Sequence, residues 1–218
     1  MAIGPYLWAS SVDANVSLGQ AKVDAGGDFM DLQRNARWGA SAAAEIRVGR
    51  FAVYGDMMYG VVGLDGSREV GPLMVTLAGT ASSLMADGTL GVVVAGARPG
   101  DRLSLEARGG VRYQRTVIDG SVSVGGSDVT DPRYVDAAAD AVVGAQAVAR
   151  PLGWLALTGA FDLGVVGSST RTWSAAADLR VRVTGRVRLS LGWRTLTSER
   201  PQVSLVMHGP RAAVQLTF

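Results

Sequence analysis

The chain has 218 residues, 29 of them glycine, with no cysteine and one histidine, and its 21 basic and 19 acidic side chains nearly cancel. That inventory suits one large β domain and excludes disulfides, thiolate metal sites and cysteine nucleophiles. The near-zero net charge argues against a nucleic-acid partner, which calls for a surplus of basic charge on one face. The hydrophobic content of 48% is high, yet no apolar run approaches the roughly 20 residues of a membrane-spanning helix. The longest stretches, such as Leu90 to Ala97, stop well short.

Alternation of apolar and polar residues marks strands in chain order. The first spans Pro5 to Leu18, with Tyr6, Trp8, Val12, Val16 and Leu18 opposite Ser11, Asp13 and Asn15. The following segment breaks the alternation, and residues 28–34 read as a short helical turn capped by Asp28. The second strand, Arg37 to Val48, opposes Trp38, Ala40, Ile46 and Val48 to Arg37, Glu45 and Arg47. Gly49-Arg50 turns tightly into the third, Phe51 to Val62, where Phe51, Val53, Met57 and Tyr59 oppose Tyr54 and Asp56. A long connection over 63–80 leads to the fourth, about Leu84 to Ala97, whose Asp87 and Thr89 mark the polar face.

After a turn at Arg98 to Asp101, the fifth strand, Leu103 to about Val117, sets Leu105, Val111 and Tyr113 against Glu106, Arg108 and Arg112. A second long loop is expected over 119–132. The sixth, Tyr134 to Val148, is alanine-rich; as a helix it would place Asp136 and Asp140 side by side, so a strand is favoured. Arg150 to Gly153 turns into the seventh, with Leu157, Phe161 and Leu163 against Asp162. The eighth, Thr170 to Val183, opposes Trp173 and Leu179 to Asp178, Arg180 and Arg182. Across the turn at Thr184 to Arg186 lies the ninth, Val187 to Thr197, with Arg188 and Arg194 opposite Leu189 and Trp193. The tenth, Val203 to Phe218, closes the chain with Arg211 and Gln215 opposite Val214, Leu216 and Phe218.

Three features favour a membrane barrel over a soluble lipocalin-like ligand-binding barrel, which has the opposite arrangement of faces. Tight turns alternate with several long connections, the pattern of periplasmic turns and outer loops. The strands, mostly about 11 to 16 residues, exceed the 5 to 6 usual in soluble sheets. Aromatic residues on the apolar faces (Tyr6, Trp8, Trp38, Phe51, Tyr59, Tyr113, Trp173, Trp193, Phe218) gather near strand ends, where interfacial girdles belong.

The expected architecture is therefore all-β: a single domain over 1–218 forming a closed, antiparallel, up-and-down transmembrane barrel of ten strands. No signal peptide precedes Gly4; if the protein is exported, Met1 stands where a leader was removed. The last strand with its terminal Phe218 resembles the closing strand of bacterial outer-membrane barrels. Pro5-Tyr6-Leu7-Trp8, Asp56-Met57-Met58-Tyr59, Gly110-Val111-Arg112-Tyr113, Gly192-Trp193-Arg194 and His208-Gly209-Pro210 are similarly placed. The chain thus resembles the small outer-membrane β-barrel proteins of Gram-negative bacteria, porin-like and OmpW- or OmpA-like. The resemblance implies an outer-membrane location, a lipid bilayer as the surrounding partner, and recognition of Phe218 by the insertion machinery; it implies no particular substrate. A monomer is expected.

No cofactor, metal centre or enzymatic activity is expected, because His208 stands alone and no phosphate-binding loop is present. If the polar faces line the lumen, the lining comprises Arg37, Glu45, Arg47, Asp56, Glu106, Arg108, Arg112, Asp136, Asp140, Asp162, Asp178, Arg180, Arg182, Arg188, Arg194 and Arg211. Ten strands at ordinary spacing and tilt give a backbone radius on the order of 10 Å, so these charges must pair. Two functions follow. One is a narrow charge-lined pore for ions or small solutes, with a basic ladder from the fifth, eighth and ninth strands facing acids of the sixth and seventh. The other is a non-conducting structural or adhesion barrel, salt-bridged inside, with function left to the outer loops.

Overall fold

The computed structural model describes residues 1–18, 21–27, 36–70, 73–96, 101–124, 127–130, 133–201 and 203–218. The described residues form thirteen strands and no helix: β1 (Ala2–Trp8), β2 (Ser11–Leu18), β3 (Ala21–Gly27), β4 (Ala36–Val48), β5 (Phe51–Val70), β6 (Leu73–Ala95), β7 (Leu103–Val124), β8 (Ser127–Thr130), β9 (Arg133–Leu152), β10 (Leu155–Gly167), β11 (Arg171–Arg182), β12 (Val187–Glu199) and β13 (Val203–Thr217). Each barrel strand pairs antiparallel with its neighbours from β1 through β4 to β13, and β13 pairs back onto β1, closing the cylinder.

β1 and β2 are two halves of one barrel strand. β1 pairs with β13 from Thr217 to Arg211 and β2 continues along β13 from His208 to Val203. The interruption falls where β13 carries Gly209-Pro210. Proline has no N–H to give the ladder, and a side chain at Gly209 would sit 2.0 Å from the Ala9 carbonyl oxygen. The Trp8 indole N–H donates to the Gly209 carbonyl at 3.2 Å, and the Ala9 N–H to the Pro210 carbonyl at 2.9 Å, so both carbonyls beside the break keep partners. Counted this way the barrel has the expected ten strands, with β3 and β8 as short additions.

The exterior is apolar. Leu7, Val48, Phe51, Met57, Leu90, Leu103, Val111, Phe161, Leu191 and Val214 are all exposed, while Glu106, Arg112, Asp140, Asp178 and Arg194 are buried. A soluble barrel would have the opposite arrangement, since contiguous apolar patches on soluble monomers are confined to a few hundred Å². Phe51 and Trp154 stand exposed at the tight-turn end. At ~3.3 Å per residue and ~40° of tilt, the rise from Phe51 to Tyr59 is about 20 Å, close to the height of a lipid-facing band.

Several expectations are corrected. Tyr6 and Trp8 do not belong to an outer girdle; they are 9% and 7% exposed and point into the lumen, while Ile3 and Leu7 of the same strand face outward at 41% and 66%. The segment is apolar on both parities, so alternation marks two faces without saying which one meets lipid. The connection expected over 63–80 is instead a continuous hairpin, with β5 and β6 paired from Phe51↔Val92 up to Val70↔Leu73. The 119–132 loop is likewise largely strand: β7 runs to Val124 and pairs there with β8. The turn after β9 falls at Gly153-Trp154 rather than from Arg150. The helical turn expected at 28–34 lies outside the described residues.

Candidate functional site

The lumen is built from the polar parity of every strand, and its side chains reach across it to partners on non-adjacent strands. At mid-height, Arg112 of β7 is 1% exposed. Its guanidinium donates to both oxygens of Asp87 on β6, at 2.9 and 3.2 Å. It also meets Asp162 of β10 at 2.8 Å and the Ser174 hydroxyl of β11 at 3.2 Å. Arg194 of β12 bridges Asp56 of β5 at 3.2 Å and Asp87 at 3.1 Å, and its guanidinium carbon lies 5.1 Å from the centroid of the Trp8 ring. The Tyr6 hydroxyl donates to the second oxygen of Asp56 at 2.7 Å, and Ser174 to Asp162 at 2.7 Å. One connected network thus links β1, β5, β6, β7, β10, β11 and β12.

Toward the tight-turn end a second layer follows. Arg211 grips Asp178 with two donors, and Arg180 lies between Asp178 at 3.8 Å and Glu45 at 3.9 Å. Arg47 meets Glu45 at 3.3 Å, Glu106 at 2.9 Å and the Tyr54 hydroxyl at 2.6 Å. Arg108 covers the Tyr54 ring at 4.0 Å and donates to Thr89 at 2.8 Å and Gln146 at 3.2 Å. A cavity of about 150 Å³ lies among these groups.

Toward the long-hairpin end the lumen is closed by apolar packing. Trp8, Met85, Leu196 and Met207 are buried together with Tyr6, and Met58 and Leu205 pack against them. Beyond this layer, Asp140 accepts from the Ser169 N–H at 2.8 Å and its hydroxyl at 2.7 Å. Arg200 pairs with Asp136 and donates to Gln114 at 2.7 Å.

The lumenal assignments from alternation therefore fall into layers. Asp56, Arg112, Asp162 and Arg194 form the central network; Glu45, Arg47, Glu106, Arg108, Asp178, Arg180 and Arg211 form the layer below it; Asp136 and Asp140 lie above the apolar packing. Arg182 and Arg188 stand at the tight-turn mouth, lining a separate cavity of about 350 Å³. The Arg37 side chain lies outside the described set. The expected basic ladder from the fifth, eighth and ninth strands facing acids of the sixth and seventh is met in part: Arg112 reaches Asp162 of the seventh strand across the lumen, but Arg112 and Arg194 also share Asp87 on β6, the neighbour of Arg112 in the ladder, and Arg194 crosses to Asp56 on β5.

Alternation had marked Asp87 as polar without identifying it as a site residue, although its parity with Thr89 and Gly91 carried the signal. Tyr6 and Trp8 were missed because nothing in a doubly apolar segment says which face is inside. The lone histidine, His208, sits on the outer face beside Trp193, ring centroids 6.3 Å apart, consistent with an interfacial position.

No family model matches the chain, and no curated protein matches its sequence. Solved structures do match. The outer membrane protease OmpT from Escherichia coli is similar with a TM-score of 0.60 at 11% identity, covering 100% of this chain and 96% of its own. The fold is that of a bacterial outer-membrane β-barrel. The translocator domain of autotransporter NalP from Neisseria meningitidis gives a TM-score of 0.59 at 12% identity, covering 100% of this chain and 88% of its own. At such identities the likeness extends to the barrel architecture, and the lumenal network is a property of this chain's own residues.

Proposed function

We propose that the protein is a lumen-sealed outer-membrane barrel, non-enzymatic and monomeric, that anchors its long β hairpins outside the lipid. The network around Asp87 carries this reading. Two buried arginines and three carboxylates span the interior from opposite walls at mid-height, directly beneath a layer of Trp8, Met85, Leu196 and Met207. An ion passing through would have to displace an apolar layer and then separate charges whose pairing offsets their desolvation, a loss of several kcal/mol. The β5–β6 and β7–β8 hairpins, continuing the barrel wall beyond Tyr59 and Tyr113, are the surfaces left to meet other molecules. The bilayer surrounds the apolar belt, and Phe218 serves the insertion machinery; nucleic acid has no place in this reading.

A narrow charge-lined pore for ions or small solutes is the second reading. It is favoured by the cavity of about 150 Å³ among the charged residues and the wider cavity at the tight-turn mouth. Single-channel recording separates the two. Protein refolded in detergent, verified by a heat-dependent gel shift and inserted in a planar bilayer, is expected to stay silent. Discrete, reproducible current steps from that preparation would overturn the sealed barrel and support the pore.

A further inference from the structure

The tight-turn mouth is a cavity of about 350 Å³ lined by Arg47, Arg150, Arg180, Arg182 and Arg188, with Glu45 as its carboxylate side chain. Two of these arginines are already neutralised, Arg47 by Glu45 and Glu106 and Arg180 by Glu45 and Asp178. The other three are not: among the described residues no carboxylate lies within ion-pair distance of Arg150, Arg182 or Arg188, and Arg150 has only the Ser104 hydroxyl, at 3.4 Å. Arg150, Arg180, Arg182 and Arg188 line the cavity together with Glu45 and the two chain termini, Met1 and Phe218, and the Met1 ammonium donates to a terminal oxygen of Phe218 at 3.2 Å.

Arg182 and Arg188 are moreover direct cross-strand partners in the β11–β12 ladder. Like charges placed opposite one another on a sheet repel. Deeper in the lumen Arg47, Arg112, Arg180, Arg194 and Arg211 each meet a carboxylate, and Arg108 lies over the Tyr54 ring and donates to Thr89 and Gln146, so three arginines without an acid at one mouth stand apart from the pattern of the rest of the interior.

We propose that this vestibule is a binding site for a small multivalent oxyanion of the phosphate class, entering from the tight-turn side. Guanidinium groups present paired N–H donors that match two oxygens of one phosphate, and three of them here have no protein anion to take those donors. The volume is at the low end of ligand pockets, enough for a diphosphate or a compact phosphate ester and too small for a polymer. The barrel wall separates the cavity from the bilayer, so the anion is a free solute rather than a lipid headgroup. Bound there, it would relieve the Arg182–Arg188 repulsion. The site ends at the paired Arg47–Glu45–Arg180 layer, so it exists whether or not the lumen above conducts.

Pyrophosphate is the probe. Refolded protein in zwitterionic detergent is titrated with it calorimetrically, against sodium chloride at equal ionic strength. Wild type is expected to bind one pyrophosphate saturably and to show a raised midpoint in the heat-dependent gel shift. Arg188→Gln and Arg182→Gln should each weaken binding at least tenfold. Each should also have a higher midpoint than wild type without pyrophosphate, because the like-charge pair is gone; that readout shows the variants are folded. Arg133→Gln, changing an exposed arginine paired with Asp119 at the other end of the barrel, should bind as wild type does. Equal stabilisation by chloride, or undiminished pyrophosphate binding in Arg188→Gln, would overturn the site. Neither measurement depends on conductance, so this proposal and the sealed-lumen reading fail separately.

Discussion

Replacing Arg112 with leucine tests whether the lumen is held by a single connected network. Leucine keeps part of the side-chain volume and removes every donor. Asp87 would retain Arg194 at 3.1 Å. Asp162, whose ion-pair partner among the described residues is Arg112, would keep only the Ser174 hydroxyl at 2.7 Å. The variant therefore strands one partly buried carboxylate, whose side chain is 25% exposed; breaking a fully buried pair by removing one partner costs about 3–5 kcal/mol, and solvent at Asp162 lowers the expected loss to about 1.5–3 kcal/mol. Adding Asp162→Asn removes the stranded charge, and residues in one network couple by about 0.5–3 kcal/mol. The double variant should therefore be more stable than the sum of the two single losses predicts. Urea unfolding in lipid vesicles, followed by emission of the five tryptophans, measures all three variants against wild type. A loss under about 1 kcal/mol for Arg112→Leu, or strict additivity in the double variant, would refute the claim that these charges are buried and mutually dependent.

The same unfolding assay reads four further changes. Tyr6→Phe removes the donor to Asp56 and should cost about 1.5–3 kcal/mol, as for hydrogen bonds to charged groups; an effect near zero would put the hydroxyl in bulk water. Trp8→Ala empties the apolar layer beneath Met207 and should cost about 3–5 kcal/mol, whereas a girdle tryptophan on the outer face would leave no such cavity. Val111, 54% exposed on the outer face, lies level with Gly88 and Gly55 in the middle of the apolar belt; Val111→Arg there should cost about 2–4 kcal/mol in a bilayer, and tolerance would move the membrane boundary. Gly209→Ala drives a methyl group against the Ala9 carbonyl and should cost about 1–3 kcal/mol, unless the β1–β2 break can widen.

The sequence alone determined the barrel. A period of two fixes which residues share a face, so the polar parity of β7, β9, β11 and β12 identified Arg108, Arg112, Asp140, Asp178 and Arg194 as lumenal, and the number of alternating segments gave the count of ten. Where both parities are apolar the method has nothing to grip, and so Ile3 and Leu7 could not be told from Tyr6 and Trp8. Alternation also ends at the strand: it gives no partner across the lumen. Whether Arg194 meets an acid of β10 or Asp56, 138 residues away in the chain, depends on strand tilt and stagger around the closed cylinder, which no local pattern records. For the same reason the surplus of Arg150, Arg182 and Arg188 was invisible in a chain whose total charge nearly cancels. The tertiary structure alone decides it, because closure brings Arg47, Arg112, Arg180, Arg194 and Arg211 onto acids, seats Arg108 over Tyr54, and leaves these three, at the mouth, without an acid.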